Sequence, residues 1–216
     1  MKKYLTSALI ASLFGIANAN ATEIKPFVGA NLGITSAAWT DAVKRMYEEA
    51  FDFPTSFLGL GFDGGVKFTK DKMYNCGLTL AYDYISDSKA ELTTYYKPYI
   101  SSVKSGFSVV SATFDSYLRV SGNEENREDI VIGLGLAGIK ERLYLLPTSL
   151  GALNGIEKID DYDTGGAFVF KVGYNSKIDD RRGWNITGRW FVQSGNSDEK
   201  DFDFLFNLNI GLRYMF

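Results

Sequence analysis

FDFLFNLNIGLRYMF, residues Phe202 to Phe216, is the stretch that decides the fold. Phe202, Phe204, Phe206, Leu208, Ile210, Leu212, Tyr214 and Phe216 are large and apolar, and the positions between them are Asp203, Leu205, Asn207, Asn209, Gly211, Arg213 and Met215. Successive side chains of a strand point to opposite faces, so this is a strand that is greasy on one side and mostly polar on the other. It is also long. Ordinary strands hold about five or six residues, whereas a tilted strand crossing a bilayer needs roughly nine to eleven.

The other end of the chain agrees with a membrane destination. Met1-Lys2-Lys3-Tyr4 is a short basic start, Leu5 to Ile16 is mostly apolar, and Ala17-Asn18-Ala19 and Ala19-Asn20-Ala21 both fit a small-residue cleavage site. This is the pattern of a secretory signal peptide over residues 1–21, cleaved after Ala19 or Ala21, which leaves residues 22–216 as the mature domain. The apolar stretch is too short for a spanning helix, and no run of eighteen apolar residues occurs later. The whole chain carries 23 Lys and Arg against 26 Asp and Glu, net −3, and losing Lys2 and Lys3 with the signal takes it to −5. That balance gives no basis for nucleic-acid binding. Cys76 is the single cysteine, so no disulfide forms within the chain.

Seven earlier segments repeat the alternation, with these apolar phases: Val28 to Ile34, Leu58 to Phe68, Tyr74 to Tyr84, Val110 to Val120, Ile130 to Gly138, Phe168 to Tyr174 and Trp184 to Val192. None of the eight apolar phases contains a charged residue. The opposite phases contain nine: Asp63, Asp83, Asp115 and Asp203 with Lys67, Arg119, Lys171, Arg189 and Arg213. A soluble barrel turns its apolar face inward and its charges outward. Lipid demands the reverse, because a charge at the bilayer midplane costs on the order of 2 to 4 kcal/mol. Placing the greasy phase outward predicts two aromatic girdles, one of Phe68, Tyr74, Tyr174 and Trp184, the other of Tyr82, Tyr84, Phe168, Trp190, Phe202 and Phe204.

The links at 69–73, 121–129 and 176–183 are short and polar, and those at 35–57, 85–109, 140–167 and 194–201 are mostly long. Short turns at one end and long loops at the other match a bacterial outer-membrane barrel with both termini in the periplasm. In the first long loop Trp39, Val43, Met46, Tyr47, Ala50 and Phe51 recur at helical spacing, which suggests either a short amphipathic helix or an irregular loop with anchoring aromatics.

Signal peptide, eight alternating strands and the ending Leu208-Asn209-Ile210-Gly211-Leu212-Arg213-Tyr214-Met215-Phe216 together resemble the small outer-membrane β-barrel proteins of the OmpA and OmpX type. The resemblance covers essentially the whole mature chain. It implies a closed eight-stranded antiparallel transmembrane β-barrel in the cell outer membrane of a Gram-negative bacterium, surrounded by outer-membrane lipids and lipopolysaccharide. It also implies that Leu208, Ile210, Leu212, Tyr214 and Phe216 form an assembly signal, read by the barrel-assembly machinery, with periplasmic chaperones escorting the chain. The peptidoglycan-binding domain of full OmpA proteins is not expected after Phe216.

The expected function is non-enzymatic, with no cofactor and no metal. The chain has no His, which removes the commonest general base and the Ser/His/Asp triad. Two G-x-G-x-x-G matches, at Gly59, Gly61 and Gly64 and at Gly133, Gly135 and Gly138, fit glycines making room inside a narrow barrel better than a dinucleotide loop. The acid pairs Asp160-Asp161, with Asp163 nearby, and Asp179-Asp180 offer carboxylates for a cation but are commonly just solvated. The nine inner charges form a lumen network that either plugs the barrel or lines a narrow or gated porin-like pore. A second alternative is a soluble periplasmic β-barrel carrying a small apolar ligand. Structural support of the membrane, or contact with surface ligands through the loops, is the leading role, with Trp39, Tyr95, Tyr96 and Tyr99 as contact candidates.

Overall fold

The computed structural model describes residues 23–40, 50–69, 74–122, 126–194 and 202–216. The expected signal peptide and the positions Val43, Met46 and Tyr47 lie outside the described residues. Eight long strands form one closed antiparallel ring: β1 (Glu23–Trp39), β3 (Ser56–Thr69), β4 (Tyr74–Lys89), β6 (Ile100–Ser121), β7 (Glu128–Pro147), β8 (Ile159–Lys177), β9 (Arg182–Gln193) and β10 (Phe202–Met215). The ring closes where β1 pairs with β10, in register from Phe27 opposite Met215 to Trp39 opposite Phe202. Two short strands, β2 (Phe51–Asp52) and β5 (Glu91–Leu92), pair with each other. A helical turn, α1 (Ser149–Leu153), is capped by the Thr148 hydroxyl, which accepts from the Gly151 N–H.

The barrel is apolar outside and polar inside. Leu32 is 63% exposed, Leu80 and Leu134 are 65% exposed, and Leu212 is 65% exposed, all on the outer phase. Asp63, Asp83, Asp115, Lys171 and Arg189 are buried on the inner phase. Leu208, Ile210, Leu212, Tyr214 and Phe216 all face out. So do Tyr82, Tyr84, Phe168 and Phe204. Trp190 stacks between Phe170 and Phe206, with ring centroids 5.7 and 4.7 Å away, and Tyr174 packs on Trp184 at 5.5 Å. Tyr74 begins β4. Phe68 keeps the outer phase, between Ile24 and Cys76, but is buried there.

Two expected positions are reversed at the start of β10. Trp39 pairs with Phe202 while its neighbour Ala38 pairs with Phe204, so Asp203 is the extra residue of a bulge. The bulge turns Phe202 into the barrel, 1% exposed, and leaves Asp203 outside. Phe202 is therefore not a girdle residue, and Asp203 is not a member of the lumen network.

The strands also run further than the outward apolar phase. β6 has 22 residues and β7 has 20, well beyond a bilayer's requirement. Where each strand leaves the apolar belt, its greasy side switches from outside to inside: Val110 faces out and Val109 in, Phe168 out and Val169 in, Val192 out and Phe191 in. Much of the expected loops at 85–109 and 140–167 is consequently strand, and the true connections at that end are 40–55, 90–99, 148–158 and 194–201. Of the six positions read at helical spacing, Trp39 ends β1 and Phe51 opens β2.

Placing a charge on the outer belt is expected to cost about 2 to 4 kcal/mol in Leu134→Arg, whereas Ser108→Arg, at the belt's edge in the row of Tyr84 and Lys140, should cost about 0 to 1 kcal/mol. Reversible urea unfolding in phospholipid vesicles measures both.

Candidate functional site

The interior has two layers, and glycines position the lower one. Gly133 on β7 lies directly between Asp115 on β6 and Lys171 on β8. With no side chain in the way, Lys171 Nζ donates to Asp115 Oδ2 across it at 2.6 Å, and a Cβ on Gly133 would overlap Asp115 Oδ1. Gly29 on β1 repeats the device between Asp63 on β3 and Arg213 on β10, whose Nε donates to Asp63 Oδ2 at 3.0 Å. Gly61 stands opposite Asp83 and leaves room for that carboxylate in the same way. The glycines of both G-x-G-x-x-G matches thus sit on strands of the barrel, without the helix that a dinucleotide loop requires.

A third ion pair crosses the whole lumen. Arg189 on β9 donates through Nη1 to Asp83 Oδ2 on β4, and those strands are four places apart in the eight-membered ring. A fourth joins Lys67 to Asp129 Oδ2 at 2.7 Å, with Arg127 Nε on the other carboxylate oxygen at 2.6 Å and the Tyr117 ring 4.6 Å from Lys67 Nζ. Neutral groups complete the layer. Thr79 donates to Asp115 Oδ2 at 2.6 Å, Asn31 donates to Asp63 Oδ1 at 3.1 Å, and Asn185 donates to Thr187 Oγ1 at 3.0 Å. Carboxylates taken this far from water need a matched cation and further donors. Asp63 and Asp115 have both and Asp129 has two cations, whereas Asp83 has Arg189 on Oδ2 and no hydrogen-bond partner on Oδ1.

Seven of the nine expected network residues are here: Asp63, Lys67, Asp83, Asp115, Lys171, Arg189 and Arg213. Arg119 lies nearer the rim and donates to the Gly122 carbonyl, and Asp203 is outside. Asp129 and Arg127 were not expected, because both fall in what reads as a polar turn. The signal was the alternation itself: Asp129 is two positions before Val131, on the same inner phase.

Above the ions lies an apolar layer. Trp39, Phe57, Ile85, Phe107, Val109, Ile139, Val169, Phe191, Phe202 and Leu205 form one buried cluster, with Phe107 against Phe57 at 5.2 Å and against Phe202 at 5.8 Å. Trp39 belongs to this cap, 2% exposed, and its indole N–H donates to the Pro54 carbonyl at 2.9 Å, so it is not a surface contact. Tyr95 is 71% exposed, while Tyr96 and Tyr99 pack partly on a second cluster of Phe51, Ile100, Val103 and Leu145.

The acid pairs are engaged locally. Asp160 pairs with Arg142 at 3.4 Å, and Asp161 and Asp163 accept from the N–H groups of Tyr162 and Thr164. Asp180 pairs with Lys177 at 2.8 Å. Asp179 accepts from the N–H of Arg181 and from the N–H and Nε of Arg182, which hold its carboxyl below the usual range. Cys76 lies on the outer phase opposite Ser116 and Phe68.

No family model matches the chain, and no curated protein does. Solved structures do. The attachment invasion locus protein Ail of Yersinia pestis, in complex with the heparin analogue sucrose octasulfate, superposes with a TM-score of 0.51 at 11% identity, covering 90% of this chain and 100% of Ail. The outer-membrane protein OprG from Pseudomonas aeruginosa gives 0.52 at 11% identity, covering 91% of this chain and 97% of OprG. The fold is that of the small outer-membrane β-barrel proteins, a closed eight-stranded transmembrane barrel.

Removing one member of the diametric pair, in Arg189→Ala, is expected to destabilise the barrel by about 3 to 5 kcal/mol, because Asp83 is left charged and alone. The double variant Asp83→Leu with Arg189→Met should recover most of that loss in the same urea titration. Gly133→Val should lower the yield of folded barrel, while Gly138→Ala, which meets open space, should not.

Proposed function

We propose that this chain is a non-enzymatic integral outer-membrane protein of a Gram-negative bacterium, exported by its N-terminal signal peptide, with both barrel termini in the periplasm and a lumen closed to solutes. Its role lies in membrane structure and in contacts made by the strands and loops that rise above the outer leaflet. The observation that carries this reading is the double closure of the interior. A salt bridge spans the full diameter between Asp83 and Arg189, and an aromatic cap lies over it. An ion entering from the loop end would first have to shed water among Phe57, Phe107, Phe191 and Phe202, and then displace paired charges.

The distribution of connections supports this orientation, since β3 and β4, β6 and β7, and β8 and β9 are joined by short links at the barrel end that also carries Glu23 and Phe216. Leu208, Ile210, Leu212, Tyr214 and Phe216, all outward on the closing strand, are the surface offered to the barrel-assembly machinery, with periplasmic chaperones earlier on the route. Outer-membrane lipids and lipopolysaccharide surround the belt. The non-enzymatic role rests on the absence of His and on carboxylates already paired with cations or capped by backbone N–H groups.

In cell fractionation the protein is expected in the outer-membrane pellet, and folded and boiled samples should migrate differently in gels. Recovery in a detergent-free periplasmic extract would defeat the membrane reading and favour the soluble barrel. In planar bilayers, pure protein should give no reproducible conductance steps. Steady steps would replace the closed lumen by the porin-like pore.

A further inference from the structure

Above the apolar belt, the outer faces of β4, β6, β7 and β8 form a registered sheet whose first rows are cationic and aromatic. The lowest row runs Tyr84, Ser108, Lys140, Thr164 straight across the four strands. Tyr84 still belongs to the belt, so Lys140 stands at its edge. Two residues further along each strand, roughly 7 Å higher, Gly106, Arg142 and Tyr162 form the next row. The third runs Lys89, Lys104, Tyr144, Asp160.

The cations are laid flat against rings. Lys140 Nζ is 3.9 Å from the Tyr162 ring centroid, Lys158 Nζ is 5.3 Å from that of Tyr144, and the Arg142 guanidinium lies between the two rings at 5.6 and 5.9 Å. Two acids share the face, Asp87 and Asp160, and both are turned to Arg142 at 3.6 and 3.4 Å. Asp161 and Asp163 alternate with these positions and point to the other face of β8, and Glu141 likewise points inward on β7. Lys89, Lys104, Lys140 and Lys158 therefore carry uncompensated charge, with no ion pair among the described residues.

We propose that this face is a binding site for the phosphorylated headgroup of a lipid in the surrounding outer leaflet, held by Lys104, Lys140, Arg142 and Lys158 with Tyr144 and Tyr162 as a platform for its sugar or acyl shoulder. Two observations fix the occupant as a lipid. The site is continuous with the apolar belt, so a molecule whose chains lie along Phe168 and Leu136 places its headgroup against the first row. The excess charge is positive in a chain whose net charge is −3, so the attraction is local to this face. Tyrosines beneath the cations supply apolar contact at the level where a headgroup joins its chains.

The inference rests on the membrane reading above, and the test separates the two. Nanodiscs are prepared with the full chain or with the Lys104→Gln, Lys140→Gln, Lys158→Gln variant, each in phospholipid doped with lipid A or with chemically dephosphorylated lipid A, and bound lipid is counted by native mass spectrometry. The wild type should retain lipid A, and the variant should need on the order of a hundredfold more for the same occupancy at low salt. The variant should keep its heat-resistant gel mobility. Dephosphorylated lipid A should bind both proteins equally weakly.

Equal retention of lipid A by wild type and variant, or no loss on dephosphorylation, overturns the site while leaving the membrane barrel in place. Full displacement of lipid A by inorganic phosphate at matched concentration overturns the lipid as occupant. A protein that does not enter nanodiscs at all overturns the membrane reading instead.

Discussion

Backbone closure is the constraint from which the rest of this molecule follows. Every N–H and carbonyl of a strand facing lipid must find a partner in protein, and a sheet achieves that only by joining its first strand to its last. Here β1 meets β10 over thirteen paired positions, from Phe27 to Trp39. A ring of eight strands is the result, and a ring of eight is narrow. Its interior admits side chains and little else.

That narrowness explains why glycine and aspartate meet face to face. Three inner carboxylates, Asp63, Asp83 and Asp115, stand opposite Gly29, Gly61 and Gly133, so each gains the space that a neighbouring side chain would occupy. For two of them the cation reaches over the same glycine from the far strand. Charge and volume are thus solved together, one strand giving up its side chain so that its two neighbours can pair. The upper lumen uses another solution. Beyond the lipid the outer surface is free to be polar, and the inner surface can then be filled with Phe, Ile and Val as in a soluble barrel. The same change frees the outer faces of β4, β6, β7 and β8 to carry Lys, Arg and Tyr just above the belt.

The inner charges on the strands crossing lipid were legible in the sequence because lipid tolerates no charge on the opposite phase. Asp129 and Arg127 were missed since a turn and a strand end are equally rich in polar residues. The long extensions of β6 and β7 were missed for a different reason. The alternation continues there, but the greasy phase moves from one set of positions to the other at Val109 and Val110, and reading only the outward phase ends the strand at that point. Trp39 was misplaced because β1 keeps its inward phase past Ile34, through Thr35 and Ala37, and Phe202 because a single bulge at Asp203 inverts the side chain beyond it.

The sequence by itself determined the class of fold, the eight strands, their facing within the lipid and the signs of most charges in the lumen. These are one-dimensional consequences of a solvent that excludes charge on alternate positions. Tertiary structure alone decided which charge meets which. Partners such as Asp83 and Arg189 lie 106 positions apart and are joined only by ring closure. Register, stagger and the bulge set those distances, and none of the three leaves a mark on composition or periodicity.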